Sequence, residues 1–278
     1  MEVLIRGLKT NRAFLVTTIL AALLLLVAIA APVIAPYDPT HAVMQDAFME
    51  PGGSHLFGTD KLGRDCFSRV IYGARASLTG VMGLVASIFT VGTTLGVCAG
   101  YFGGKVDIVI MRFSDMMISF PGMILAIAVA GVLGGSMVNA IIALTIVSWT
   151  KYARLARSLV LKIKRRDFVD AAVVNGGTAP HILWVHILPN ILPLMVVTAA
   201  SDIGAMMMEM AGLSFLGFGA QPPAPEWGLM LNEGRQQLQT APWLMVFPGL
   251  AIFVTVVIFN LWGDNLRDVL DPRNDVKD

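Results

Sequence analysis

Asp202 and Glu209 are the residues of this sequence best placed to act on a cation. They lie seven residues apart inside a long apolar run, which on an α-helix puts both carboxylates on about the same face. An ionised acid in such a run costs about 2.5–3.5 kcal/mol on insertion scales, so it must meet partners or a wet cavity. Two roles follow: lining a pathway for a cationic or amine-bearing solute, or making an interhelical hydrogen bond or ion pair. Met206, Met207, Met208 and Met210 flank Glu209. Thioethers are soft metal ligands, but a methionine run in an apolar helix also serves as adaptable packing. Packing is the expectation for most of this run, with Met206 kept beside the two acids as a pathway residue.

Other chemistry is absent. His41, His55, His181 and His186 fall in loops or at a span end, so Ser214 in Gly212-Leu213-Ser214 has no histidine to activate it. No H-E-x-x-H helix is present. The nearest phosphate-loop look-alike, Gly103-Gly104-Lys105-Val106, has Ala99 in place of the first glycine and Val106 where Ser or Thr would hold Mg²⁺. Cys66 and Cys98 form neither a disulfide framework nor a metal cluster. The chain is therefore expected to be no enzyme and to carry no cofactor.

The elements that must position these acids are membrane helices. Of the 278 residues, 56% are hydrophobic and 14% charged, with net charge +1 and a mean hydropathy of +0.72. Soluble domains run nearer 45–50% apolar and about 25% charged, and the near-neutral balance excludes a basic nucleic-acid binder. Six stretches approach the roughly 20 residues that cross a bilayer, at about 13–35, 77–102, 119–134, 137–161, 188–212 and 243–263. The first is longer than the roughly 7–15 apolar residues of a secretory signal, so it reads as an uncleaved anchor. With the N-terminus inside, 15 of the 20 Lys and Arg residues share one side, including Arg6, Lys9, Lys151, Arg154, Arg157, Arg273 and Lys277. Only Lys61, Arg64, Arg69, Arg75 and Arg235 lie on the other. The positive-inside rule then puts both termini in the cytoplasm. The expected organisation is an anchor helix and external loop over 1–76, a core over 77–272 and a cytoplasmic tail over 273–278. Gly92, Gly96 and Gly100 share one helical face and permit close helix approach.

The inner loop, about 162–187, carries the most specific pattern. Asp167 is placed to cap a short helix with Phe168, Ala171 and Ala172 on its apolar face. Asn175-Gly176-Gly177 can end it through positive φ. Thr178 and Pro180 suit the first turn of the next helix, which Pro189 and Pro193 then perturb. The result is a helix–turn–helix knob, equally readable as a docking knob or an ordinary loop.

Asp170-Ala171-Ala172, then Gly176, then Leu188-Pro189, resembles the EAA loop of ABC importer permeases. Asp170 stands where that family has Glu, and His186 where it has Ile. Further segments are similar to the dipeptide/oligopeptide/nickel branch: Phe57-Gly-Thr-Asp60-Lys-Leu-Gly63-Arg64-Asp65, Tyr72-Gly-Ala-Arg75-Ala-Ser77, Gly100-Tyr-Phe-Gly-Gly104, Ser214-Phe-Leu-Gly217, Gln221-Pro-Pro223, Glu226-Trp-Gly228 and Leu270-Asp271-Pro272. The resemblance implies an all-α membrane protein with six transmembrane helices, the type I ABC importer permease fold and a cytoplasmic coupling helix. It implies ATPase coupling through Asp170, Ala171, Ala172, Gly176, Gly177 and Pro189. It also implies a homologous second permease, two ATPase subunits holding ATP and Mg²⁺, an extracytoplasmic substrate-binding protein, and residence in the bacterial cytoplasmic membrane among lipid. Asp60, Arg64 and Asp65 could face that binding protein or fold their own loop. Asp202 and Glu209 could line the pathway or meet the partner permease. Nickel or a nickel chelate is the expected cargo, di- and oligopeptides the alternative, and a stand-alone secondary transporter the remote rival, which would need its own midplane ion site.

Overall fold

A computed structural model describes residues 7–8 and 11–270 of the chain. Arg6, Lys9, Asp271, Pro272 and the tail 273–278, with Arg273 and Lys277, lie outside the described residues. The described chain is built from helices, and its single isolated bridge joins Thr59 and Asp65.

Helix α1, Arg12–Ile34, starts where the Asn11 side chain accepts the Phe14 N–H at 3.1 Å. Helix α2, Cys66–Phe102, begins well before residue 77 because the Asp65 carboxylate accepts both the N–H and the hydroxyl of Ser68 at 2.7 Å. Such a cap stabilises a helix start by about 1 kcal/mol. Helix α3, Gly104–Ile118, is followed by α4, Gly122–Leu133. Pro121 has no N–H to continue the ladder and pushes the residue before it away from helical backbone, and the two helices meet at 95°. Next come α5, Met137–Ile163, and α6, Asp167–Val174. Helix α7, Ala179–Phe215, contains a π-helical segment at Ile182–Ile187. The short α8, Trp227–Gly234, and the long α9, Trp243–Leu270, complete the order.

Helices α1, α2, α7 and α9 are each long and apolar enough to cross a bilayer, and the bent α3–α4 pair would make a fifth crossing if it acts as one span. Six were expected. The expected third span is only the 12-residue α4, about 18 Å long against a hydrocarbon core of about 30 Å. Helix α5 has the length, at 27 residues, but carries Lys151, Arg154 and Arg157 in its second half. In the orientation expected from the basic residues, the bundle end holding 35–65 and α8 is the outer one.

The centre of the bundle is the α2–α5 seam. A Cβ on Gly92 would lie 2.5 Å from the Tyr152 Cβ, and one on Gly96 only 2.3 Å from the Ala153 carbonyl oxygen. On the α5 side Ala140, Ala143, Ala153 and Ala156 are fully buried. Small residues on both helices let the backbones approach, which in lipid is a main source of helix association. Helices α7 and α9 meet in the same way, Gly204 against Asn260 and Gly263 against the Ser201 backbone. Helix α1 lies outside, with Leu23, Leu26, Ile29 and Val33 exposed, as a lipid-facing helix requires.

Gly96→Val should force α2 from α5, because a carbonyl oxygen cannot rotate away as a side chain can. The expected cost is at least about 1–3 kcal/mol, read as a lowered unfolding temperature in detergent. Gly83→Ala, whose Cβ would meet only Ile141 Cδ1 at 3.5 Å, should leave that temperature unchanged.

Candidate functional site

The α2–α5 seam fixes Tyr152, whose ring also meets Phe89 edge-on at 6.2 Å between centroids. From there the phenol donates to Asp202 Oδ2 at 3.0 Å. Lys151, the preceding residue, donates to both Asp202 oxygens at 2.6 and 2.8 Å. Asp202 is buried and Lys151 largely exposed. The interhelical partner of Asp202 is therefore a cation of the same chain, one that the positive-inside count places with the inner basic residues.

Glu209 lies two turns further along α7 and is half-buried. It makes no hydrogen bond or ion pair with any other described residue, while Asp202 and Lys151 lie within electrostatic range. With Asp202 paired, Glu209 is the acid of this helix that has no hydrogen-bonded or ion-paired side chain among the described residues. The methionines around it diverge. Met207 and Met210 are buried in the core and Met208 is exposed on another side. Met206 is half-buried, and at four residues from Asp202 and three from Glu209 it shares their face. No three His, Cys, Asp or Glu side chains among the described residues converge as a metal site would require.

At the outer end, Asp60, Arg64 and Asp65 are buried and fold their own loop. Arg64 Nε donates to Asp60 Oδ2 at 2.6 Å, and Arg64 Nη2 reaches Glu233 at 3.1 Å. Arg69 Nη2 donates to the same Glu233 oxygen at 2.9 Å, and Arg69 Nη1 to the Pro39 carbonyl at 3.1 Å. Two guanidinium groups thus face two carboxylates, joining the loop after α1 to α8. Glu226 accepts the N–H groups of Gly228 and Leu229 and the Ser77 hydroxyl, so it caps α8 against α2. The Trp227 indole donates to the Val70 carbonyl at 2.8 Å.

At the inner end the knob is present. Asp167 occupies the first position of α6, and Arg166 is the cap, without a side-chain bond. The helix closes as a Schellman turn, with the Gly177 N–H bonding the Ala172 carbonyl at 2.9 Å and the Gly176 N–H the Val173 carbonyl at 3.0 Å. The two glycines serve different needs. Gly176 has φ +80° with open space around it, whereas a Cβ on Gly177 would lie 2.7 Å from the Ala172 oxygen. Thr178 caps α7 by position alone, followed by Pro180. Pro189 cannot donate to the turn before it, and the π-helical segment lies just there. The neighbouring His186 carbonyl accepts from Asn190 Nδ2 at 2.6 Å. Val169, Ile182 and Ile187 pack inside the knob, while Val174 is 86% and Trp184 72% exposed. Asp170, Ala171, Gly176 and Pro189 are exposed and Ala172 and Gly177 half-buried. Arg157–Asp107 and Arg154–Asp115 pairs at 2.5 and 2.6 Å brace α3 against α5 above it.

A bundle of apolar helices with an acid-bearing helix packed against its central seam and an apolar-faced knob at one end has the form of a polytopic transport subunit. Residues 92–276 match the profile of the binding-protein-dependent transport system inner membrane component, and residues 2–51 that of the N-terminal transmembrane domain of oligopeptide transport permease C. The chain is 42% identical over 268 residues to the dipeptide transport system permease protein of Alkalihalophilus pseudofirmus, covering 96% of this chain and 88% of the relative. It is 43% identical over 255 residues to the nickel transport system permease protein of Escherichia coli, covering 92% of each. It is 46% identical over 253 residues to the glutathione transport system permease protein of Pectobacterium atrosepticum, covering 90% and 84%. Among solved structures it resembles a methionine ABC transporter in an inward-facing conformation, with TM-score 0.59 at 19% identity over 73% of this chain and 97% of that one. The chain belongs to the family of inner membrane components of binding-protein-dependent transport systems. It is a permease subunit of an ABC importer, and not an enzyme.

Lys151→Met would leave Asp202 with only the Tyr152 phenol. The expected loss is about 1–3 kcal/mol, discounted from the value for a fully buried pair because Lys151 is exposed. Adding Asp202→Asn should restore most of it, measured as thermal unfolding of the purified protein. No recovery in the double variant would mean that the pair does not act as a unit.

Proposed function

We propose that this permease passes a small cargo bearing a positive charge or a free amine across the cytoplasmic membrane, and that short peptides are that cargo. The observation that carries the reading is Glu209, an acid in an apolar helix with no bonded partner among the described residues, near an acid that has two. A protonated amine would satisfy it during passage. Relatives whose names give dipeptide and glutathione transport agree with this. Nickel or a nickel chelate is the second reading. Met206, sharing a face with Asp202 and Glu209, and the nickel permease relative favour it.

Transport is driven from outside the chain. In this reading two ATPase subunits hold ATP and Mg²⁺, and both termini and the knob lie in the cytoplasm. A substrate-binding protein delivers cargo at the outer end to a cavity shared with a homologous second permease. The exposed Val174 and Trp184 with Asp170, Ala171 and Ala172 form the contact with the ATPase. Gly176, Gly177 and Pro189 hold the backbone that presents them. Closure of the ATPases on ATP moves the knobs, and the cavity changes its open side.

The test is uptake in a strain lacking the gene, with a labelled dipeptide and with labelled nickel, free and chelated. Loss of dipeptide uptake alone is expected, loss of nickel uptake alone selects the second reading, and loss of neither overturns both. In the complemented strain Glu209→Gln should lower uptake about tenfold, equivalent to about 1.4 kcal/mol, at unchanged expression. Gly176→Val, forcing a β-branched residue into positive φ, should abolish uptake with the protein still inserted. Normal uptake in that variant would refute the coupling assignment.

A further inference from the structure

Helices α1 and α2 lie side by side, with the Tyr37 N–H after α1 donating to the Ser68 hydroxyl at the start of α2 at 3.1 Å. They are therefore antiparallel, and their outer ends are level. Just below that level they leave a groove of about 230 Å³, lined by Leu25, Ala28, Ile29, Leu78 and Met82, with Arg75 at one end. Leu25, Ile29 and Met82 are exposed, so the groove opens on the face that α1 turns to lipid.

Depth decides what can fill it. Leu25 and Ile29 lie five to nine residues before the end of α1 at Ile34, which is about 8–14 Å inward along the axis. On α2, Arg75 precedes Leu78 and Met82 and so lies nearer the outer end. The Arg75 backbone lies seven residues past Ser68, about 10 Å inward. A helical side chain leans toward its helix's N-terminus, here the outer end, so the guanidinium can extend toward the lipid headgroups while the apolar part of the groove runs toward the acyl region. Arg75 also differs from the other arginines of this end. Arg64 and Arg69 are buried and paired. Arg75 is exposed, and its guanidinium makes no hydrogen bond or ion pair with any other described residue. The neighbouring Thr79 hydroxyl is already used, donating to the Arg75 carbonyl at 2.7 Å.

A free guanidinium within reach of the headgroups calls for an anion, and its planar fork matches two phosphate oxygens. An apolar groove leading away from it calls for a hydrocarbon chain. We propose that this groove is a specific site for an anionic phospholipid, its phosphate on Arg75 and one acyl chain between α1 and α2. A guanidinium that merely snorkelled toward the interface would need no groove beside it.

The test is native mass spectrometry of the assembled importer, purified in detergent and supplied with phosphatidylglycerol or phosphatidylcholine. Wild type should retain one phosphatidylglycerol per copy of this chain in preference to phosphatidylcholine. Arg75→Gln, which removes the fork, and Met82→Trp, which fills the groove, should each lower that occupancy about tenfold at the same lipid concentration. Both positions are exposed, so assembly with the ATPases should be unchanged. Equal retention of the two lipids by wild type, or undiminished phosphatidylglycerol in both variants, would overturn the proposal. So would disulfide cross-linking of an Arg75→Cys variant to a cysteine on the partner permease, because a protein chain would then cover the groove.

Discussion

The distance between α2 and α5 is the constraint from which the rest of the bundle follows. With no side chain at Gly92, Gly96 or Gly100, the α5 backbone lies directly against α2, and Tyr152 is held with its phenol toward α7. That fixes where Asp202 can be compensated, and it places Lys151 at the same carboxylate. In water such a pair would be a minor contribution. In a membrane the alternative is an acid facing hydrocarbon, so the packing of two helices decides whether a third can carry a charge. Glu209, two turns along, lies within electrostatic range of that pair but is bonded to neither member.

The outer end works on the opposite principle. There the charges are numerous, buried and balanced, with Arg64 and Arg69 shared between Asp60 and Glu233. Such networks contribute less to stability than their contacts suggest, because desolvation offsets the attraction, but losing one member leaves a charge stranded. Their effect is to tie the loop after α1 to α8 across the mouth of the bundle. That region is a rigid platform, unlike the exposed, glycine-turned knob at the other end.

Much of this was legible in the sequence where the cause is local. The long apolar runs inside α1, α2, α7 and α9 carry few charges, and hydropathy reads length and apolarity directly. Gly176 was legible because a positive φ after a short helix leaves few other choices, and the glycine face of α2 because its spacing is helical. What failed was geometry that a window cannot see. The apolar stretch ending at Gly134 reads as one straight span, whereas Pro121 turns the chain within it and leaves a 12-residue helix, and Asp65 extends α2 outward through a region whose charges read as loop. The partner of Asp202 was hidden more deeply. Lys151 lies 51 residues away and is counted among the inner cations by the rule that orients the chain. Likewise nothing local joins Arg64 to Glu233, 169 residues on. Pairings of this kind belong to the packed bundle.

The second helix of the knob and the two acids belong to one rod, since α7 runs from Ala179 to Phe215 with only the π-helical segment as a change of winding. Its angular register is therefore shared. One residue inserted between 188 and 201 would turn everything on one side of it by about 100° relative to the other. Asp202 would then point away from Lys151, or the knob would swing round the bundle. The segment at Ile182–Ile187 is the exception, because a π turn encloses one residue more than an α turn. Length changes in this rod have a single place to be absorbed, between the surface that receives the push and the acids that it reaches.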